Sequence, residues 1–90
     1  MTAENWQVYI LRCRDDTLYT GITNNLEQRL QRHNHGTASR YTRTRLPVTL
    51  IYREAALDRS QASRREAEIK KLNRQAKLAL AARNHGNGKS

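Results

Sequence analysis

Between Trp6 and Cys13 apolar residues fall on both parities, with Trp6, Val8 and Ile10 on one and Tyr9, Leu11 and Cys13 on the other. That pattern predicts a strand covered on both faces. Leu18 to Ile22 has the same character, and the polar run Arg14-Asp15-Asp16-Thr17 between them predicts a hairpin, because aspartate accepts turn conformations and bonds its own backbone. Tyr9 and Tyr19 are then expected to share a face near the sheet edge, in a register that sequence alone leaves open. Thr23, Asn24 and Asn25 are N-cap candidates for a helix through about His33. In it Ile22, Leu26 and Leu30 recur towards the core, with Asn25, Arg29 and Arg32 on a polar side and Gly36 at the end. A polar connection over residues 37–46, with a short helical turn around Ala38 to Thr42, leads to Pro47 and a third strand, Val48 to Tyr52. Glu54 ends that strand. The spacing of Asp58 and Gln61 resembles a capping box, and the stripe Ala62, Ile69, Leu72, Ala76 and Leu80 predicts one long helix to about Ala82.

This order predicts an α+β fold, a small three-stranded, mostly antiparallel sheet flanked by helices. Ninety residues support one core, so a single domain is expected over residues 1–83, with residues 84–90, rich in Gly, Asn and Ser, as a disordered tail.

Charge adds a partner to the picture. Lys and Arg number 17 against 8 for Asp and Glu, a formal net charge of +9, which favours a polyanion and nucleic acid first among them. Arg29, Arg32, Arg40, Arg43 and Arg45 follow one another with no acidic residue between, and the guanidinium suits bidentate phosphate contacts. The single cysteine, Cys13, excludes an internal disulfide and a Cys-rich zinc site. With no leader-like N-terminus and no long apolar run, a soluble cytoplasmic protein without membrane contact is expected.

The chemistry-bearing residues are few. Tyr9 and Tyr19 stand ten residues apart on successive strands, and Arg29 follows ten residues later on the next helix, a set able to meet a phosphate. Among the carboxylates, Asp15 and Asp16 belong to the turn and Asp58 to a cap. On the last helix Glu68 has Arg64 and Lys71 within a turn as ion-pair partners, and Glu66, with Ala62 and Asn73 on its side, is on pattern alone equally a surface ion-pair partner of Lys70 four residues on or a metal-holding carboxylate. One carboxylate suffices for a hard divalent ion that completes its shell with water and phosphate. His33-Asn34-His35 does not form a shared metal site, since side chains two apart on a helix diverge. Tyr41 offers either stacking on a base or ordinary packing. No Gly-x-Ser-x-Gly elbow and no phosphate-binding glycine loop is present, so a serine nucleophile and a nucleotide cofactor are not expected.

These residues resemble the GIY-YIG endonuclease superfamily. The first half-motif stands here as Gln7-Val8-Tyr9 and the second as Tyr19-Thr20-Gly21, followed by Arg29 and His33 at the family's helical spacing and by Glu66 in the last helix. The run Gly36 to Arg43 before Pro47-Val48 resembles the small single-domain bacterial branch. Gln7 replaces the family's first glycine, and Ile22 stands where some members have lysine. The resemblance covers about residues 6–82. It implies hydrolysis of a phosphodiester with a single Mg2+ or Mn2+ ion held by Glu66. Tyr9 or Tyr19 would then take a proton from water, Arg29 would stabilise phosphoryl charge, and His33 would complete the catalytic set.

The leading expectation is thus a metal-dependent endonuclease, acting on DNA ahead of RNA, with Arg32, Arg40, Arg43, Arg45 and Lys70 holding the backbone. The chain is expected to act as a monomer, with a partner protein open. A non-catalytic nucleic-acid-binding module on the same fold is the alternative, and a basic adaptor for an acidic protein is a third reading. Only the first requires Glu66.

Overall fold

β1 (Trp6–Arg12) runs through the middle of a three-stranded antiparallel sheet, between β2 (Leu18–Thr23) and β3 (Thr49–Ala56). The computed structural model describes residues 6–87, with side chains through residue 83. The fold is α+β, as the hydrophobic pattern predicts. Asp16, at φ 71°, turns the β1–β2 hairpin in the left-handed region that aspartate tolerates. The Thr17 amide and hydroxyl both donate to Asp15, at 3.1 and 2.6 Å. The resulting register sets Tyr9 opposite Gly21 and Leu11 opposite Tyr19, so both tyrosines lie on one face.

Both faces of β1 are covered, and each parity feeds its own core. Val8 and Ile10 pack with Tyr52, Ala62, Ile69 and Ala81 on one side. Tyr9, Leu11 and Cys13 pack with Leu26 and Val48 on the other. Ile22 departs from the expected helical set: it lies within β2 opposite Val8 and joins the first core, while Leu26 and Leu30 serve the second. The strand claims Ile22 because its pleat directs it away from the helix that follows.

Helix α1 (Leu26–Asn34) starts at Asn25, whose side chain accepts from the Gln28 amide, and gives way to Gly36 at φ +79°. A short α2 (Arg40–Arg43) is capped by Ser39 inside the arginine-rich connection. The Leu46–Pro47 peptide is cis. β3 runs on to Ala56, so Glu54, expected at its close, lies two residues inside it. There Glu54 accepts from the Tyr52 hydroxyl and from Arg65 Nε at 2.8 Å, which lets a polar residue sit in an edge strand.

The expected single long helix is two. Helix α3 (Arg59–Lys70) ends at Lys71, and α4 (Arg74–Asn87) begins where Asn73 Oδ1 accepts from the Ala76 amide at 2.8 Å. The break lets α3 cover β1 and β2 while α4 covers β3. Leu72, counted in the apolar stripe, is therefore 38% exposed, and Ala81 is buried instead. Of the segment expected to be a tail, residues 84–87 lie within α4 as far as the backbone is described, and residues 88–90 lie outside the described residues.

Candidate active site

The site gathers at the β1–β2 face that α1 and α2 cover. Tyr9 is buried and Tyr19 half-buried, with ring centroids 6.5 Å apart and planes tilted by 42°. Gly21 makes this possible. A Cβ at position 21 would lie 2.6 Å from the Tyr9 hydroxyl oxygen and 2.7 Å from Cζ, so the tip of the Tyr9 phenol occupies the space that a side chain there would take. The glycine of the second half-motif is thus a steric requirement of the tyrosine of the first.

His33, 1% exposed, joins the phenols from α1. Its ring meets Tyr9 and Tyr19 edge-on at 5.9 and 5.2 Å. His33 Nε2 is 3.0 Å from the Tyr9 hydroxyl, and Nδ1 is 2.9 Å from Thr42 Oγ1. Burial, and then the nearby Arg29 cation, push the imidazole down to about 4 from its usual 6.5. It is neutral at physiological pH. Tyr9 moves the opposite way: burial chiefly, then Tyr19, raise its phenol well above 10, with Glu66 adding to the rise and Arg29 opposing it.

Arg29 and Glu66, from α1 and α3, therefore both lie within electrostatic reach of the Tyr9 phenol. Arg29 is half-buried one turn before His33. Glu66 follows Ala62 by four residues and precedes Ile69 by three, and both neighbours are fully buried, so it sits on the sheet-facing side of α3. Its side chain is 23% exposed and pairs with Lys70 Nζ at 3.4 Å. Glu68 points away, 66% exposed, and bonds Arg65 at 3.1 Å rather than the expected Arg64 and Lys71. His35 is exposed outside the site, as a solvated residue should be.

The arginines divide. Arg32, Arg40 and Arg43 are exposed, and Arg40 and Arg43 line a shallow depression of about 430 Å³ with Gly36 to Ser39. Arg45 is committed elsewhere. Its guanidinium lies 4.0 Å over the Tyr41 ring, with Nε 3.1 Å from Asp15 and a second nitrogen 2.7 Å from the Tyr41 carbonyl. Thr17 first, then Arg45, hold the exposed Asp15 carboxyl below its usual range. Tyr41 in turn stacks on Tyr19, with centroids 6.0 Å apart and planes 25° from parallel. Sequence reasoning missed Thr42 altogether. A threonine nine residues from its partner carries no local signal, whereas the aromatic Tyr41 amid arginines was at least visible.

The family model of the GIY-YIG catalytic domain matches residues 5–79. The chain belongs to the GIY-YIG family. This GIY-YIG chain is 51% identical over 73 residues to a UPF0213 protein of Staphylococcus haemolyticus, covering 81% of this chain and 89% of that one. To a UPF0213 protein of Clostridium perfringens it is 53% identical over 73 residues, covering 81% and 78%. Its fold is similar to an E. faecalis protein solved by solution NMR, with a TM-score of 0.60 and 36% identity over 93% of this chain and 92% of that one. GIY-YIG domains form a nuclease family, and its nucleases generally use divalent metals. The residues present fit such an ion. Among the described residues no three His, Cys, Asp or Glu side chains gather into a ligand cage. Glu66 is the carboxylate that acts on the Tyr9 phenol, and a single carboxylate suits a hard cation completed by water and phosphate oxygens, not zinc.

Proposed function

We propose that the chain hydrolyses phosphodiester bonds in nucleic acid, DNA ahead of RNA, at the cluster of Tyr9, Tyr19, Arg29, His33 and Glu66, with one Mg2+ or Mn2+ ion. One observation carries this reading: Tyr9, Tyr19 and His33 meet in one cluster where the two half-motif strands pair, with Arg29 one turn away on α1 and the charge of Glu66, from α3, felt at the Tyr9 phenol.

Glu66, with substrate phosphate, would hold the divalent ion, which when bound supplies Lewis-acid stabilisation of the phosphoryl oxygens and a lowered pKa for water. Arg29 offers its guanidinium to the equatorial oxygens as charge builds there, the kind of term that dominates such chemistry. Tyr9 stays protonated, because its pKa is raised and its hydroxyl is tied to His33. Tyr19 is then the residue left to act as base: having given its own proton to solvent, its phenolate would take the proton of the attacking water as the new P–O bond forms, and the sugar oxygen would leave with a proton drawn from solvent. Arg32, Arg40, Arg43 and Lys70 supply a positive approach for the backbone, while Arg45 works through Tyr41.

The test incubates purified protein with plasmid, single-stranded, branched and RNA substrates in Mg2+ or Mn2+, beside Glu66→Ala and Arg29→Ala. Cleavage lost in both variants, with the fold retained, is the expected result. Cleavage that survives Glu66→Ala overturns the role given to that carboxylate. Salt-dependent binding with no cleavage of any substrate selects the non-catalytic module.

A further inference from the structure

Thr42 is fully buried and belongs to a four-residue helix in a connection, remote in sequence from both half-motifs. Its hydroxyl has two neighbours: His33 Nδ1 at 2.9 Å and the Ser39 carbonyl oxygen at 3.4 Å. The direction of every proton in this chain of groups follows from counting donors. The buried Tyr9 hydroxyl has His33 Nε2 as its hydrogen-bond partner at 3.0 Å, so its proton goes there or is left unpaired in the interior, which is costly. If Nε2 accepts, a neutral imidazole carries its hydrogen on Nδ1. That hydrogen donates to Thr42 Oγ1, and the threonine proton passes to the Ser39 carbonyl, which also accepts from the Arg43 amide at 3.0 Å. All donors are then placed. In the opposite arrangement Thr42 donates to Nδ1, Nε2–H donates to Tyr9, and the phenolic proton has nowhere to go.

We infer that Thr42 is a positioning residue, which by accepting Nδ1–H holds His33 in one tautomer and so directs the Tyr9 proton onto Nε2. The neighbouring residue does the matching task for the second phenol, since Tyr41 stacks on Tyr19. Two consecutive residues of α2 thereby set both phenols, and neither needs to touch a substrate. The inference rests on the phosphodiesterase reading only for its consequence in turnover; the tautomer itself is a property of the free protein.

The experiment is a long-range 1H–15N correlation spectrum of the His33 ring at neutral pH, which distinguishes a protonated from a bare ring nitrogen. The wild-type protein should show hydrogen on Nδ1 and a bare Nε2. Thr42→Val, close in volume but unable to accept, leaves one donor unpaired in either tautomer, so its spectrum should show a mixture of the two, and Thr42→Ser should keep the single signature. An Nε2–H signature in the wild type overturns the inference even if the valine variant does not fold, and so does an unchanged spectrum in a folded Thr42→Val. Where a substrate is cleaved, kcat of Thr42→Val should fall with KM little changed, since the substrate contacts are left in place. Equal turnover in Thr42→Val and wild type overturns the positioning role. An Nδ1–H tautomer in a protein that cleaves nothing would instead uphold the tautomer and sink the phosphodiesterase reading.

Discussion

At the scale of single residues, the site is held by fits that leave no slack. Gly21→Ala would put a methyl carbon 2.6 Å from the Tyr9 oxygen, and that ring is buried and bonded to His33, so it must move and give up the bond. A loss of about 1–3 kcal/mol is expected from the overpacking, read as a lower denaturation midpoint. Tyr9–His33 contacts should vanish from NOE spectra of the variant; their survival would mean that the backbone yields instead. His33 supplies a second test. Its folded pKa of about 4 lies below the unfolded 6.5, so between those values the unfolded chain binds a proton that the folded one refuses. Stability contributed by the neutral ring is therefore present above pH 6.5 and is lost as pH falls towards 4, by up to about 3 kcal/mol. Urea unfolding at pH 7.5 and pH 5 should register the drop, and His33→Gln should flatten it over that interval. A wild-type profile as flat as the variant's would show that the ring is solvated.

At the scale of elements, the strands and α1 were readable because each carries its own signal: two-sided apolar parity in β1, aspartates in the turn, an asparagine before α1. The α3–α4 break was not. Leu72 continues the apolar stripe across it, and periodicity cannot distinguish a buried leucine from one 38% exposed at a corner. The missed signal was Asn73, a residue poor inside helices and good at their starts. Asn73→Ala should cost about 1 kcal/mol by removing the acceptor for the Ala76 amide, while Asn73→Asp should be nearly neutral. Thermal or chemical unfolding of the pair decides it, and equal losses would show that the cap contributes nothing. The candidate site divides in the same way. Tyr9, Tyr19 and Arg29 stood out by their spacing along the chain, whereas His33 and Glu66 entered the candidate set only through the family resemblance, since pattern alone leaves Glu66 as readily a surface ion-pair partner. Thr42 was not legible, since its hydroxyl gains meaning only when α2 folds back onto α1. Arg45 differs for the opposite reason: in sequence it is one more cation of the arginine run, and in the fold it is bonded to Asp15 and lies over Tyr41.

At the scale of the whole molecule, a formal charge of +9 on 90 residues makes salt-sensitive binding to nucleic acid the expected behaviour, but the fold says which charges should count. Among the described residues no helix is long and apolar enough to cross a membrane, so the basic surface does not flank a membrane-spanning helix there. Arg40 and Arg43 are exposed beside the site, whereas Arg45 spends its guanidinium on Asp15 and Tyr41. For duplex DNA, each phosphate neutralised contributes a slope of about −0.9 to the plot of log affinity against log salt. Arg40→Ala and Arg43→Ala should each shallow that slope by about 1, weakening binding to all sequences alike. Arg45→Ala should leave the slope nearly unchanged, and should instead loosen Tyr41 over Tyr19, seen as slower turnover without a matching loss of affinity. Fluorescence anisotropy with a labelled oligonucleotide across a salt series, run without added divalent metal, measures the slopes directly. If Arg45→Ala shallows the slope as much as Arg40→Ala does, the Asp15 and Tyr41 contacts give way on binding, and the arginine is a phosphate ligand after all.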